Sequence, residues 1–334
     1  MIGRQTWNTM SQTPARITRR LRNYSELEII LPCFGQHVLT NEARATEKPH
    51  RLHYNYAMNL PAAGLSPEAI DERRKALLRI IQQLPPKGSR PLTMAGRVAG
   101  WITPDATLAL TELPGVRVED EAVHIAASSS PRLSLNTVLA RVARTLDEAG
   151  CVRSWRDELL DVVGEGRRLA AIERGAVRAL GLLTRAVHLN AWTPDGKLWI
   201  ARRAMTKATD PGKWDTLVGG LAGAGETLDT ALLRESAEEA GLTAADLRRH
   251  SPLRIILRMH KRLPEGYQVE DVLISECVLA EGVRPENQDG EVSEIRSAGL
   301  EEVWSMILAR EFTVEAELVL LEGIQGRLDK SLAA

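Results

Sequence analysis

The sequence predicts a mixed α/β protein, with an α/β/α sandwich over its second half preceded by a smaller α+β domain. Three observations predict it. Amphipathic helical stripes alternate with short apolar runs through residues 61–170. A strand pair flanking "TPDG" opens the second half. A glycine-dense loop, "GGLAGAGE", then leads into a helix that further strands and closing helices follow. A chain of 334 residues with 44% apolar content is long enough for two ordinary domains and rich enough to bury a core.

Residues 1–60 show no sustained period and are expected to form a partly ordered arm. Arg4, Arg16, Arg19, Arg20 and Arg22 precede the first acidic residue, Glu26, a composition shared by loose basic arms and organelle transit peptides. In "LSPEAIDERRKALLRIIQQL" Ser66 can cap a helix, Pro67 suits its first turn, and Ile70, Leu77, Leu78 and Ile81 form an apolar stripe. "MAGRVAGWITP" and "VRVEDEAVHIAA" read as short strands, and "SLNTVLARVARTLDEAGCV" as a second amphipathic helix. These elements make an accessory domain over 61–170. Glycine and charge replace periodicity near 163–175, which is read as the boundary. The second domain, 171–330, begins with a hairpin turning at Pro194, Asp195 and Gly196 and continues through the strands "LRIILRM" and "DVLISECVL" to two helices.

With 43 basic against 44 acidic residues the total charge offers no nucleic-acid or membrane surface. No apolar run approaches the ~20 residues of a membrane span. Cys33, Cys151 and Cys277 are odd in number and lack metal or redox spacing, which fits a reducing cytoplasm. The expected partner is a small molecule, and a homodimer is one assembly the sequence leaves open.

Thr227 can cap and Gly241 can end a helix over 228–240. At ~100° per residue Glu235, Glu238 and Glu239 fall within an arc of about 100°, roughly opposite Leu233, Ala237 and Ala240. Carboxylates so close are mutually unfavourable by a few tenths of a kcal/mol per pair. A hard divalent cation with oxygen ligands, Mg²⁺ or alternatively Mn²⁺, reverses that sign.

From Gly220 the chain gives five residues, Glu226, seven residues, then Arg234, Glu235, Ser236, Ala237, Glu238, Glu239, Ala240, Gly241 and Leu242. This resembles the Nudix box, G-x5-E-x7-R-E-U-x-E-E-x-G-U, departing from it only at Ser236, where an aliphatic residue is usual. The resemblance implies a Nudix sandwich in which Glu235, Glu238 and Glu239 hold the metal and Glu235 helps activate water. It also implies that Glu226 and Arg234 brace the loop, which Gly219 and Gly220 allow to turn closely, and that the chain is a pyrophosphohydrolase.

Upstream of the box, "ARRAMTKATDPGKWDTLVGG" offers Arg202, Arg203 and Lys207 for phosphate oxygens, Trp214 for stacking on a ring, and Asp215 beside them. Together with "VAGWITP", "GCVRSWRDELLDV" and "DGEVSEIR", this stretch resembles Nudix proteins that carry an upstream domain of unknown function and are related to the Nudix portion beside fungal thiamine pyrophosphokinases. That likeness implies hydrolysis of thiamine diphosphate, or of its oxidised or toxic analogues, to the monophosphate and phosphate. Glu291 and Asp271, with Glu270 and Glu294, are candidates for a further base or ligand, whereas His188 reads as a satisfied core residue. The alternatives are another nucleoside-diphosphate-type substrate and a non-catalytic ligand sensor. Isopentenyl diphosphate isomerases share "PGKWD" but need a cysteine near the loop, which this chain lacks.

Overall fold

The computed structural model describes residues 64–129 and 131–332; the expectations for residues 1–60, Cys33 included, lie outside them. Helix α1 (Pro67–Ile81) starts as its sequence dictates, with Ser66 Oγ accepting from the Ala69 N–H at 3.2 Å and Pro67 in the first turn. A hairpin of β1 (Arg90–Met94) and β2 (Arg97–Ile102), helix α2 (Pro104–Leu110), and strands β3 (Val116–Val118) and β4 (Val123–Ile125) follow, giving a sheet of order β2-β1-β4-β3. After the short ladder of β5 (Ser128–Ser129) and β6 (Arg132–Leu133), helix α3 (Leu135–Glu148) buries Val138, Leu139, Val142, Ala143 and Leu146 in the same core. These positions repeat at helical spacing, so one face supplies the packing.

Strands β7 (Leu159–Gly164) and β8 (Arg167–Glu173) form an antiparallel hairpin turning through Glu165 and Gly166, both at positive φ. The stretch at 163–175, whose glycines and charges read as a boundary, is therefore mostly strand. The charges mark its exposed rim, where Arg167 and Arg168 face solvent. A 3₁₀ turn (Arg174–Ala176) runs into the short helix α4 (Val177–Leu180).

The second half is built on β9 (Leu183–Trp192), β10 (Leu198–Arg203), β11 (Trp214–Thr216), β12 (Val218–Leu221), α5 (Leu228–Ala240), β13 (Arg254–Leu263), β14 (Gly266–Val278), β15 (Val292–Ala298), α6 (Leu300–Leu308) and α7 (Val314–Leu332). The seven strands make one sheet along β11-β10-β9-β14-β13, with β12 pairing β9 and β15 pairing β10. Parallel pairing occurs between β9 and β14; the remaining ladders of this sheet are antiparallel. Alternate residues of β9 serve two layers. Val187, Leu189 and Ala191 pack with Ala231, Leu232 and Ala240 of α5, while Trp192 joins Ile200 of β10 and the apolar faces of α6 and α7. This is the α/β/α sandwich that the sequence predicts.

Helix α1 belongs to the second of these layers: Ile70, Leu77 and Ile81 are buried with residues of α7 and β13. Arg73 forms a buried pair with Glu317, its Nη2 donating to Oε2 at 3.0 Å, and Arg74 pairs with Glu322. The first described helix thus closes over the last.

Candidate active site

Helix α5 has the bounds expected of it. Thr227 Oγ1 accepts from the Thr230 N–H at 3.1 Å, and Gly241 ends the helix at φ 63°, a left-handed conformation that a side chain would strain. Its rotation differs from expectation. The buried residues are Ala231, Leu232, Ser236, Glu239 and Ala240, whereas Ala237 is exposed and Leu233 half-buried. Glu239 therefore lies inside, because the glycines of β12 leave space beneath the helix. A Cβ on Gly220 would fall within the Glu235 carboxyl group, and the Gly219 N–H donates to Glu239 Oε2 at 2.9 Å. Ser236, the departure from the motif, is wholly buried with its hydroxyl unpartnered.

Arg234 organises the loop. Its Nε and Nη2 donate to the two oxygens of Glu226 at 2.9 and 3.0 Å, and Nη2 also reaches the Leu221 carbonyl at 3.1 Å. Nη1 donates to Glu235 at 2.8 Å and to Glu238 at 3.1 Å. Glu226 in turn accepts from the Gly223 N–H at 2.9 Å. The bidentate guanidinium holds the Glu226 carboxyl below its usual range and is itself held more firmly protonated.

The metal-candidate glutamates have the opposite character. Burial pushes Glu235 up, and pushes Glu239 up to about 8 despite the Gly219 N–H and Lys207. Lys207 stands between acids, Nζ lying 3.7 Å from Glu239 and in direct contact with Glu291, while burial lowers its own pKa. Among the described residues no group of three or more His, Cys, Asp or Glu side chains is arranged to hold a metal ion; Arg234 and Lys207 occupy the carboxylates instead. The donor chemistry nevertheless fits a hard cation: three carboxylates on one helix, two desolvated, already draw positive side chains to them.

The other predicted residues separate by strand alternation. Arg203, Lys207, Asp215 and Gly219 line a cleft of about 200 Å³ with His188. Arg203 donates to Asp215 at 3.0 Å and, through Nε and Nη2, to the Thr209 carbonyl at 3.2 and 3.0 Å, so it braces the loop as well as facing the cleft. Arg202 lies on the opposite side of β10, bonded to the Gly212 carbonyl at 3.1 Å and 3.9 Å from Glu294. Trp214 is corrected from platform to core. It is 7% exposed and packs in the layer of α6 and α7, with Arg296 4.8 Å from its ring centre. Asp271 is likewise engaged, accepting from Arg258 at 2.7 and 2.9 Å; its neighbour Glu270 is the one that lines the cleft.

Residues 182–319 match the NUDIX domain model. The second half of the chain carries a Nudix domain. Residues 72–184 match a domain of unknown function, DUF4743. The chain is 44% identical over 89 residues to an uncharacterized Nudix hydrolase, SCO1686, of Streptomyces coelicolor, covering 26% of this chain and 49% of that one. It is 30% identical over 191 residues to Nudix hydrolase 24, chloroplastic, of Arabidopsis thaliana, covering 55% of this chain and 52% of that one. It thus spans about half the length of the curated relatives it matches. Among solved structures, DR0079 from Deinococcus radiodurans aligns with a TM-score of 0.36 at 26% identity, covering 48% of this chain and 97% of that one.

The Nudix domain is not held by its own residues alone. The Ala224 N–H donates to the Leu159 carbonyl at 2.8 Å and the Gly225 N–H to Asp161 Oδ1 at 3.0 Å, so β7 fixes the glycine loop before α5. Arg174 and Arg178, also upstream, line the cleft with Lys261 of β13. Sequence reasoning missed these cations. Arg178 meets Glu270 across 92 residues of chain, and no local pattern announces such a contact. No helix among the described residues is long and apolar enough to cross a membrane.

Proposed function

We propose that the chain is a Mg²⁺-dependent Nudix pyrophosphohydrolase, with Mn²⁺ as the alternative ion, that cleaves a diphosphate linkage in a small molecule. The observation that carries this reading is the grouping of Glu235 and Glu239, both with pKa raised by burial, over the side-chain-free surface of Gly219 and Gly220. Glu235, Glu238 and Glu239 would hold the cation, which when bound supplies charge neutralisation for the diphosphate and acidifies attacking water. Arg234 and Glu226 keep the loop and helix in register, and Arg203 and Lys207 supply positive charge for phosphate oxygens. Glu291, held by Lys207 beside Glu239, is the better placed of the two predicted additional acids.

The substrate proposed is thiamine diphosphate or an oxidised or toxic analogue, giving the monophosphate and phosphate. Its support is the sequence resemblance, together with a cleft lined by Glu265, Glu270 and Glu315 as well as by Arg203 and Lys207. Such a lining suits a cationic ring with an anionic tail. We propose the cytoplasm as the compartment. Purified protein supplied with Mg²⁺ and a panel of thiamine, nucleoside and nucleotide-sugar diphosphates tests the reading. Phosphate release that is greatest from thiamine diphosphate supports it; equal turnover across the panel removes the substrate assignment, and no turnover removes the reaction.

A further inference from the structure

Two side chains that line the cleft each carry a buried nitrogen without a partner. One is Nη1 of Arg178, whose Nη2 reaches Glu270 at 3.5 Å. The other is Nε2 of His188, a residue only 5% exposed. Thr216 Oγ1 donates its proton to the Val218 carbonyl at 2.8 Å, so at 3.1 Å from His188 Nδ1 it accepts. With Nδ1 as the donor, Nε2 is the ring nitrogen left without a partner. The wall of the cleft thus holds two unpartnered nitrogens, and buried groups of this kind are ordinarily satisfied.

Their separation follows from the strand. His188 and Thr184 share a face of β9 four residues apart, about 13 Å. Thr184 Oγ1 donates to Glu270 Oε2 at 2.6 Å, and Gln268 donates to its Oε1 at 2.9 Å, so the acid that meets Arg178 is fixed at the far end of that span. His188 lies at the near end, beside Gly219. A diphosphate held at the glycine strand leaves most of this distance for the rest of the substrate.

We infer that the segment upstream of the Nudix domain builds the specificity end of the cleft, with Arg178 donating to the polar heterocycle that the substrate carries beyond its diphosphate. The inference rests on the proposed reaction and adds to it the recognition of the non-phosphate moiety. It also assigns work to residues 72–184: β7 holds the glycine loop, and α4 supplies the arginine. Glu158 fixes the neighbouring Arg174 at 2.6 Å, so that wall is braced from behind by β7's own flank.

The test compares Arg178→Met and Arg178→Lys with the wild-type full chain. The kcat/KM for whichever of thiamine diphosphate, ADP or UDP-glucose the wild type turns over best is divided by that for methyl diphosphate, which lacks the heterocycle. Arg178→Met should lower this ratio about ten- to a hundredfold, the value of a hydrogen bond to a charged group, and Arg178→Lys should restore part of it. A merely structural role scales both substrates together, so an unchanged ratio overturns the inference. If the wild type hydrolyses none of the three, the proposed reaction fails, and calorimetric binding of the same compounds decides the inference separately. Binding that Arg178→Met weakens sustains it; binding that is absent or unaltered overturns it.

Discussion

The backbone N–H of Gly219 donates to Glu239 Oε2 at 2.9 Å, tying the second carboxylate of the Glu238-Glu239 pair to the strand beneath it. An amide oxygen can accept the same bond. Glu239→Gln is therefore expected to change unfolding free energy in urea by no more than about 1 kcal/mol. The same variant should lose diphosphate hydrolysis by about a hundredfold, a value typical of removing a preorganised electrostatic group. Equal loss of stability and activity would show that the residue is structural.

Gly220 has a steric role that an alanine scan reads directly. An added Cβ would meet the Glu235 carboxyl group, so Gly220→Ala must move either the strand or the acid. Overpacking of this kind costs about 1–3 kcal/mol. We expect that loss in thermal or urea unfolding, with a larger fall in kcat than in substrate affinity.

How much of this was legible in the sequence differs by residue. The bounds of α5 were, because Thr227 and Gly241 announce its ends by local chemistry. Its rotation was not. Periodicity placed Leu233 and Ala237 inside, whereas Glu239 is buried because two glycines on another strand make room for it. Trp214 misled for a similar reason. A tryptophan beside arginines reads as a platform, yet β11 faces the layer of α6 and α7, where an isolated bridge to Phe312 joins it. Arg178 and the contacts of β7 with the glycine loop depend on pairings across the chain, which neither spacing nor composition encodes.

The buried Arg73–Glu317 pair fastens α1 to α7. Burial pushes the Glu317 carboxyl up, with Arg73 opposing that shift. Removing one partner strands the other in a low dielectric. Glu317→Ala is expected to cost about 3–5 kcal/mol in urea unfolding, while Arg73→Met combined with Glu317→Leu should recover much of it. Failure of the double variant to recover any stability would contradict a charge-burial origin.

Cys277 is 5% exposed, and burial raises its thiol to about 12, whereas an unburied thiol has about 8.5. The folded-state pKa lies above the unfolded one. The corresponding stabilisation is full below about pH 8.5 and is lost as pH rises through about 12. At pH 8 a disulfide reagent should leave Cys277 unmodified in native protein and label it after unfolding, as mass spectrometry of the peptides would show. Rapid native labelling would contradict the packing of β14.

The most direct test of the acidic helix as a cation site is phosphate release from a diphosphate, followed across a Mg²⁺ titration for the wild type and Glu238→Gln. Turnover is expected to need the ion, to be abolished by chelation, and to fall by about a hundredfold or more in the variant at every Mg²⁺ concentration. Turnover that persists in chelator, or that Glu238→Gln leaves intact, would contradict that assignment.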